Sequence, residues 1–221
     1  MQKISGCLFA DDVSYDVPRD VWVRAEGDLY VVGVDTVRAW LSGVLTSVSL
    51  KPAGTVLERG MGLGATEGPR HFDVVRSPLS GVVVEVNPEL KATPKLVNTD
   101  PYGAGWLAKI RPSRLDDERA GLKSISSASE ALAEKVNRLK VRCFDAFPDY
   151  EMFEIGSECA GVLVKLDELI ARSPVGTVVH LVSDDVTAEI ELITWSERTG
   201  QKLIETRKEA NLFHFIVKKI R

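Results

Sequence analysis

The sequence predicts two domains, a β-rich one followed by an α+β two-layer sandwich with a four-stranded sheet and two helices. Three observations predict it. The chain has 221 residues, enough for two cores of about 100 residues each. From Val21 to about Ile110, short apolar runs alternate with Gly and Pro turn signals. After Pro112 the text becomes charged and helical, and from Tyr150 onward strand and helix patterns alternate.

The first domain's strands are read at Val21-Trp22-Val23, Leu29 to Val32, Leu45 to Leu50, Gly81 to Val86 and Trp106 to Ile110. Turns separate them at Lys51 to Gly54, Gly60 to Gly62, Gly68-Pro69 and Asp100 to Gly103, where Pro fixes φ and Gly accepts φ above zero. One helix interrupts, Asp35 to Leu41, with Asp35 or Thr36 able to cap its first turn. Beyond Pro112, Ser127 and Glu130 have capping-box spacing. Leu132, Val136, Leu139 and Cys143 then recur on one helical face, which makes Cys143 a buried face residue rather than a reactive thiol. The last domain reads strand Tyr150 to Ile155, helix Cys159 to Ala171, strand Thr177 to Val182, helix Thr187 to Arg198, and strands Leu203 to Thr206 and Leu212 to Val217. Asp184, Asp185 and Thr187 offer capping oxygens, and Gly200 lies just past the second helix.

A net charge of −4 argues against a nucleic-acid footprint or a polybasic membrane patch. No apolar run reaches the roughly 18 residues a membrane span requires. Ile4-Ser5-Gly6-Cys7 has the look of a lipoprotein cleavage box, but too few residues precede it, and Cys7 reads as an ordinary cysteine on a first strand. Three widely spaced cysteines, Cys7, Cys143 and Cys159, give no sign of disulfides or zinc, so a reducing cytoplasm is the expected compartment. Gly60 to Gly64 is glycine-rich but lacks a following helix, which removes the case for a phosphate cradle. Asp116-Asp117 and Asp184-Asp185 read as helix-start charges rather than catalytic dyads. His180 and His214 fall mid-strand and read as interior or edge residues rather than bases. No metal-ligand spacing and no cofactor site is expected.

Ser77 to Asn87 (Ser-Pro-Leu-Ser-Gly-Val-Val-Val-Glu-Val-Asn) and Leu96 to Leu107 (Leu-Val-Asn-Thr-Asp-Pro-Tyr-Gly-Ala-Gly-Trp-Leu) together resemble the H protein of the glycine cleavage system, as do Val21 to Arg24, Gly33 to Asp35 and Gly60 to Glu67. The resemblance spans residues 15 to 112. It implies a barrel-sandwich hybrid of the lipoyl-domain type, whose hairpin tip presents a lipoyl-lysine arm to partner enzymes. The family reads Glu-Ser-Val-Lys-Ala at that tip, and this chain reads Glu67-Gly68-Pro69-Arg70-His71, with no lysine between Lys51 and Lys91. Lipoate is attached through an amide to a lysine amine, and the permanently protonated guanidinium of Arg70 is no acyl acceptor. Arg70 and His71 are either two solvated turn residues or a cationic tip that meets an anionic ligand or an acidic surface.

Gly156-Ser157-Glu158-Cys159-Ala160-Gly161, followed by Asp184-Asp185, Trp195 and Arg198-Thr199-Gly200, is similar to the TusA/SirA-type sulfur carriers. Those domains hold one cysteine at the start of their first helix and pass a persulfide sulfur on it to a partner. Helix N-terminal amides favour the thiolate that such chemistry needs. The family's Cys-Pro-x-Pro is here Cys159-Ala160-Gly161-Val162, without the prolines that pre-set the first turn. A structural cysteine is the competing reading, because Cys159, Leu163, Leu166 and Ile170 share one helical stripe.

These resemblances give domains of 1–112 (glycine cleavage H-like), 113–147 (helical connector) and 148–221 (TusA/SirA-like). The leading expectation is a sulfur carrier or relay adaptor, at most a sulfurtransferase, with Cys159 as the candidate persulfide thiol and the H-like domain as a non-lipoylatable docking module. The alternatives are a non-catalytic adaptor or regulator with both sites decayed, and an H-type lipoyl carrier, which Arg70 disfavours. Expected partners are proteins, either sulfur donor or acceptor enzymes or lipoyl-dependent enzymes, with no nucleic acid and no membrane.

Overall fold

Valine-rich segments build the strands of the first unit. The structure, a computed structural model, describes residues 1–69 and 71–221, with Cys159 described by its backbone alone. The chain divides into Met1–Cys143 and Phe144–Arg221.

In the first unit, β1 (Gln2–Ile4) and β2 (Cys7–Phe9) form a ribbon, and β3 (Ser14–Asp16), β4 (Val21–Glu26) and β5 (Leu29–Val34) an antiparallel meander. Helix α1 (Thr36–Leu41) follows, then β6 (Ser47–Leu50), β7 (Val56–Leu57), β8 (Gly62–Glu67), β9 (Phe72–Arg76) and β10 (Gly81–Val86). After α2 (Leu96–Thr99) come β11 (Ala108–Pro112), α3 (Leu115–Glu118), β12 (Lys123–Ser124) and α4 (Ile125–Leu139). Seven strands join in the order β12-β3-β4-β5-β11-β10-β7, and β6-β8-β9 form a second sheet. Val21 and Val34 of the larger sheet share a buried cluster with Val75 of the smaller one and with Leu45, Leu90 and Leu107. The two sheets therefore bury a common core, each enclosed Leu or Val contributing about 1.5–3 kcal/mol, consistent with the expected barrel-sandwich arrangement.

Local chemistry fixes the ends of these elements. Asp35 caps α1, its side chain accepting from the Arg38 amide at 3.1 Å. The Asp35 carboxyl is fully buried, and that burial, reinforced by the charge of Asp20, raises its pKa to about 7. Gly33 is required by packing, since a Cβ there would stand 2.5 Å from the Trp22 indole. The indole lies across β5 and donates to the Pro101 carbonyl at 3.0 Å.

Several sequence expectations change here. Gly62, read as the end of the Gly60–Gly62 turn, opens β8. The capping box at Ser127 lies inside α4, which starts at Ile125 with Ser124 in the cap position. The helix buries Ile125, Ala128, Leu132 and Val136 and ends at Lys140, which adopts the left-handed conformation; Leu139 is exposed and Cys143 lies beyond the helix. The buried face of α4 joins Ile4, Phe9 and Tyr15 in one cluster, so this part of the segment expected as a connector packs within the first unit. The Sγ atoms of Cys7 and Cys143 are bonded in a disulfide between residues 136 apart in sequence, with Cα atoms 5.0 Å apart. Nothing in the spacing of the cysteines pointed to this pair, because the contact is made by the docking of α4 on the N-terminal ribbon.

The second unit contains β13 (Tyr150–Glu154), α5 (Cys159–Arg172), β14 (Val178–Ser183), α6 (Ala188–Thr199), β15 (Lys202–Glu209) and β16 (Leu212–Lys218). Its sheet has the order β13-β14-β16-β15, with the first pair parallel and the others antiparallel. Both helices pack on one face, where Val162, Leu166, Leu192 and Trp195 meet Val179, Leu181, Phe215 and Val217. Trp195 is buried and satisfies its indole N–H on Asp167 at 2.7 Å. Gly200 ends α6 in the left-handed conformation, as its place in the sequence indicates. Among the described residues, no helix is long and apolar enough to cross a membrane.

Candidate functional site

The hairpin of β8 and β9 carries Glu67 and His71, and its base is held from three directions. Glu67 pairs with Phe72 across the hairpin, and the Gly68 amide donates to the His71 carbonyl at 2.9 Å while the His71 amide donates back at 3.3 Å. Pro69 stands in the connection so closed, where a missing amide donor is no loss. Arg70 lies outside the described residues. Glu67, Pro69 and His71 are exposed, and Phe72 beside them is 69% exposed.

Gly68 touches the loop after α1, where an added Cβ would lie 2.5 Å from the Ser42 carbonyl oxygen and 3.1 Å from that of Val44. That loop is in turn fixed by Asn98 of α2. The Asn98 Oδ1 accepts from the Leu45 amide at 2.9 Å, and its Nδ2 donates to the carbonyls of Ala39 (2.7 Å) and Gly43 (2.9 Å). A third tie is the ion pair of Arg38 with Asp73 on β9, at 3.0 Å. Sequence reasoning missed Asn98; the available signal was a buried amide between Val97 and Thr99, since a buried side-chain amide must find partners. The Leu96 to Leu107 segment thus supports the hairpin mechanically, a role its turn residues alone did not reveal.

The second candidate, Cys159, is the first residue of α5. Its backbone opens the helix, and its side chain lies outside the described residues. Glu158 occupies the cap position and makes no side-chain cap bond; its carbonyl accepts from the amides of Gly161 (3.1 Å) and Val162 (3.3 Å). Gly156 turns the chain at φ +73 and donates its amide to Asp184 Oδ1 at 2.8 Å, which joins the loop after β13 to the loop after β14. The parallel pairing of β13 with β14 puts both loops at one end of the sheet. In the second loop Asp185 accepts from the Thr187 amide and hydroxyl, both at 2.8 Å, and so starts α6. Ile155, Val186 and Ile190 are exposed around these loops at 58%, 82% and 72%, an apolar rim beside the acidic Glu158, Asp184 and Glu189.

Such an arrangement supplies helix-terminal amides, which favour a thiolate, and carboxylates, which oppose it. Among the described residues no group of three or more His, Cys, Asp or Glu side chains could hold a metal ion.

Comparison with known proteins gives the family. The glycine cleavage H-protein model matches residues 13–135. Glycine cleavage system H protein 5 of Aquifex aeolicus is 31% identical over 147 residues, covering 65% of this chain and 99% of that protein. A probable glycine cleavage system H protein 2 of Sulfurisphaera tokodaii is 34% identical over 146 residues, covering 65% and 98%. The crystal structure of a glycine cleavage system H protein from Mycobacterium marinum aligns with a TM-score of 0.46 at 28% identity, covering 60% of this chain and 99% of that one. The matched model ends before β13, which leaves the second unit outside it.

Proposed function

This chain belongs to the glycine cleavage H-protein family, and from that premise we propose that it is a sulfur carrier or relay adaptor whose H-like unit docks partners while Cys159 bears the cargo. The observation that carries the reading is chemical. A lipoyl arm needs a lysine amine, and the stretch that includes the β8–β9 hairpin has none, since no lysine lies between Lys51 and Lys91. With Arg70 at the attachment position, a lipoyl group does not fit this hairpin, because a guanidinium cannot form the amide.

Three further observations support the role of Cys159. It starts α5, and the partial positive charge at a helix start favours a thiolate. The disulfide consumes Cys7 and Cys143, so Cys159 is the one thiol left of three. The exposed Ile155, Val186 and Ile190 offer a partner an apolar foothold next to it. In the step proposed, the Cys159 thiolate attacks the terminal sulfur of a donor enzyme's persulfide. A new S–S bond forms on Cys159, the donor's S–S bond breaks, and the donor cysteine leaves as thiolate.

The test is intact mass after incubation with a cysteine desulfurase and cysteine. The expected result is one added sulfur on the wild type and none on Cys159→Ser. No addition to the wild type, or equal addition to both, ends the reading. Lipoyl carriage, which family membership suggests and Arg70 disfavours, is the second reading. Treatment with a lipoate ligase discriminates: a lipoyl mass on the first unit would establish it, and an unchanged mass is expected.

A further inference from the structure

A surface helix needs one apolar side, and α6 has two. Ala188, Leu192 and Trp195 recur at i, i+4 and i+7 and are buried in the core of the second unit. At about 3.6 residues per turn, Ile190 and Ile193 fall on the opposite side, where they are 72% and 45% exposed. Val186, ahead of the helix, leads into this outer stripe. The bond from the Gly156 amide to Asp184 ties the loop that carries Ile155 to the loop that carries Val186.

The outer residues contribute little to the fold. The core is closed by the inner stripe, and a β-branched residue on the outside of a helix has lower helix propensity than the Lys, Glu or Gln that ordinarily stands there. Single exposed aliphatic residues are common on protein surfaces. Here three gather along the start of one helix, with Ile155 on the tied loop as a fourth, and grouped exposure of this kind marks a site of association.

The charge around the stripe selects what covers it. No Lys or Arg lies between Arg172 and Arg198, a stretch that holds Asp184, Asp185, Glu189, Glu191 and Glu197. Glu189 and Glu197 are exposed. Asp184 accepts from the Gly156 amide and Glu191 from the Thr187 hydroxyl at 3.2 Å, bonds that leave the negative charge in place. Lys165 of α5 is bound to Glu154 at 2.6 Å, and Arg198 stands in the last turn of α6, beyond the stripe. A second copy of the chain would set carboxylates against carboxylates, and an anionic bilayer surface would be repelled in the same way. The complementary occupant carries apolar side chains flanked by cationic ones. Because the stripe is a convex ridge with helical spacing, an α-helix packs on it, ridge into groove.

We infer that the outer face of α6 is a docking site for a basic amphipathic helix of a partner protein. The partner's apolar stripe covers Val186, Ile190 and Ile193, and its Lys or Arg residues meet Glu189 and Glu197. The Val186 end of the stripe lies at the same end of the sheet as the start of α5, since β13 and β14 run parallel. The site is defined by α6 and stands whether or not Cys159 carries sulfur.

The test titrates the ¹⁵N-labelled full chain with a synthetic peptide of about 14 residues, four helical turns, with Leu along one face and Lys along the other. Saturable amide shifts are expected from Val186 to Glu197 and at Ile155, and the same peptide with Glu in place of Lys is expected to cause none. Ile190→Ser with Ile193→Ser should weaken binding about tenfold or more, because apolar contact is lost. Glu189→Gln with Glu197→Gln should weaken it about threefold to tenfold, and salt at about 0.5 M should weaken the wild type more than this variant. Both exchanges lie on the exposed side of α6, and unchanged amide signals of the buried residues report that the fold is kept. The absence of saturable shifts, shifts confined to another region, equal binding of the two peptides, or undiminished binding in either variant would overturn the inference. So would α6 shifts that grow with protein concentration alone, which would assign the face to a second copy. Shifts on adding vesicles of phosphatidylcholine and phosphatidylglycerol would overturn it in favour of a lipid surface.

Discussion

The base of the β8–β9 hairpin and the loop that leads into Cys159 both hold a candidate site at the surface, yet they are restrained to very different degrees. Gly68 is wedged against two carbonyls, Asn98 spends every polar atom on the supporting loop, and Arg38 pins Asp73. Among the described residues, the approach to Cys159 is tied by the Gly156 amide on Asp184, and the first helical turn contains Gly161 with open space around it. A β-hairpin inherited from a carrier family is aimed; the helix start is left adaptable. On the proposed reading, a docking hairpin would gain from fixed geometry and a cargo-bearing thiol at Cys159 from freedom.

The comparison breaks most visibly if covalent restraint proves irrelevant to the first unit. Cys7→Ser is expected to lower the stability of Met1–Cys143 by about 5 kcal/mol, the loop-closure value for so long a ring, read by denaturant titration with hydrogen exchange reporting each unit. Equal loss in Phe144–Arg221 would mean that the two regions do not differ in this way. Next in size is the pH response of the first unit. Because the folded pKa of Asp35 is raised to about 7, the native state binds more protons than the unfolded one between about pH 4 and pH 7, and stability falls as pH rises through that window. Asp35→Asn keeps a capping oxygen and is expected to flatten a slope totalling on the order of 4 kcal/mol; an unchanged slope in that variant refutes the assignment.

Asn98→Ala removes three hydrogen bonds of about 1 kcal/mol each, for a loss of about 3 kcal/mol, and should speed amide exchange at Leu45 and Gly68. Asp184→Ala should cost about 1 kcal/mol or less and change exchange only near Gly156. If the last two effects came out reversed in size, the loop before Cys159 would be the rigid region and the hairpin the adaptable one.

Much of this architecture was legible because it rests on local chemistry. Strands at Val21–Glu26, Leu29–Val34 and Gly81–Val86 announce themselves through β-branched runs, and Asp35 and Gly200 through the demands of helix ends. The strand Gly62–Glu67 was hidden because two of its glycines serve close approach rather than turning: a Cβ on Gly64 would collide with the Ser49 carbonyl at 2.3 Å. The end of α4 was hidden because Lys140, not a glycine, takes the left-handed position. Partnerships across long separations left no periodic trace at all. Cys7 with Cys143, His180 with His214, and Asn98 with the loop at Gly43 are all made by tertiary docking. For the sites, Glu67 and His71 are exposed at the end of the β8–β9 hairpin and Cys159 opens α5, while the support behind each position is what pattern alone could not supply.

One bond has a mechanical consequence. Because Cys7 is fastened to Cys143, a tension applied between the first and last residues runs through six residues, crosses the sulfur bridge and continues into the second unit. Everything from Leu8 to Arg142 hangs as a slack bight outside that load path. A pulling experiment would stretch out the second unit while the first stayed folded until a reductant cut the bridge, and a protease nick in the bight would open the ring without shedding a fragment.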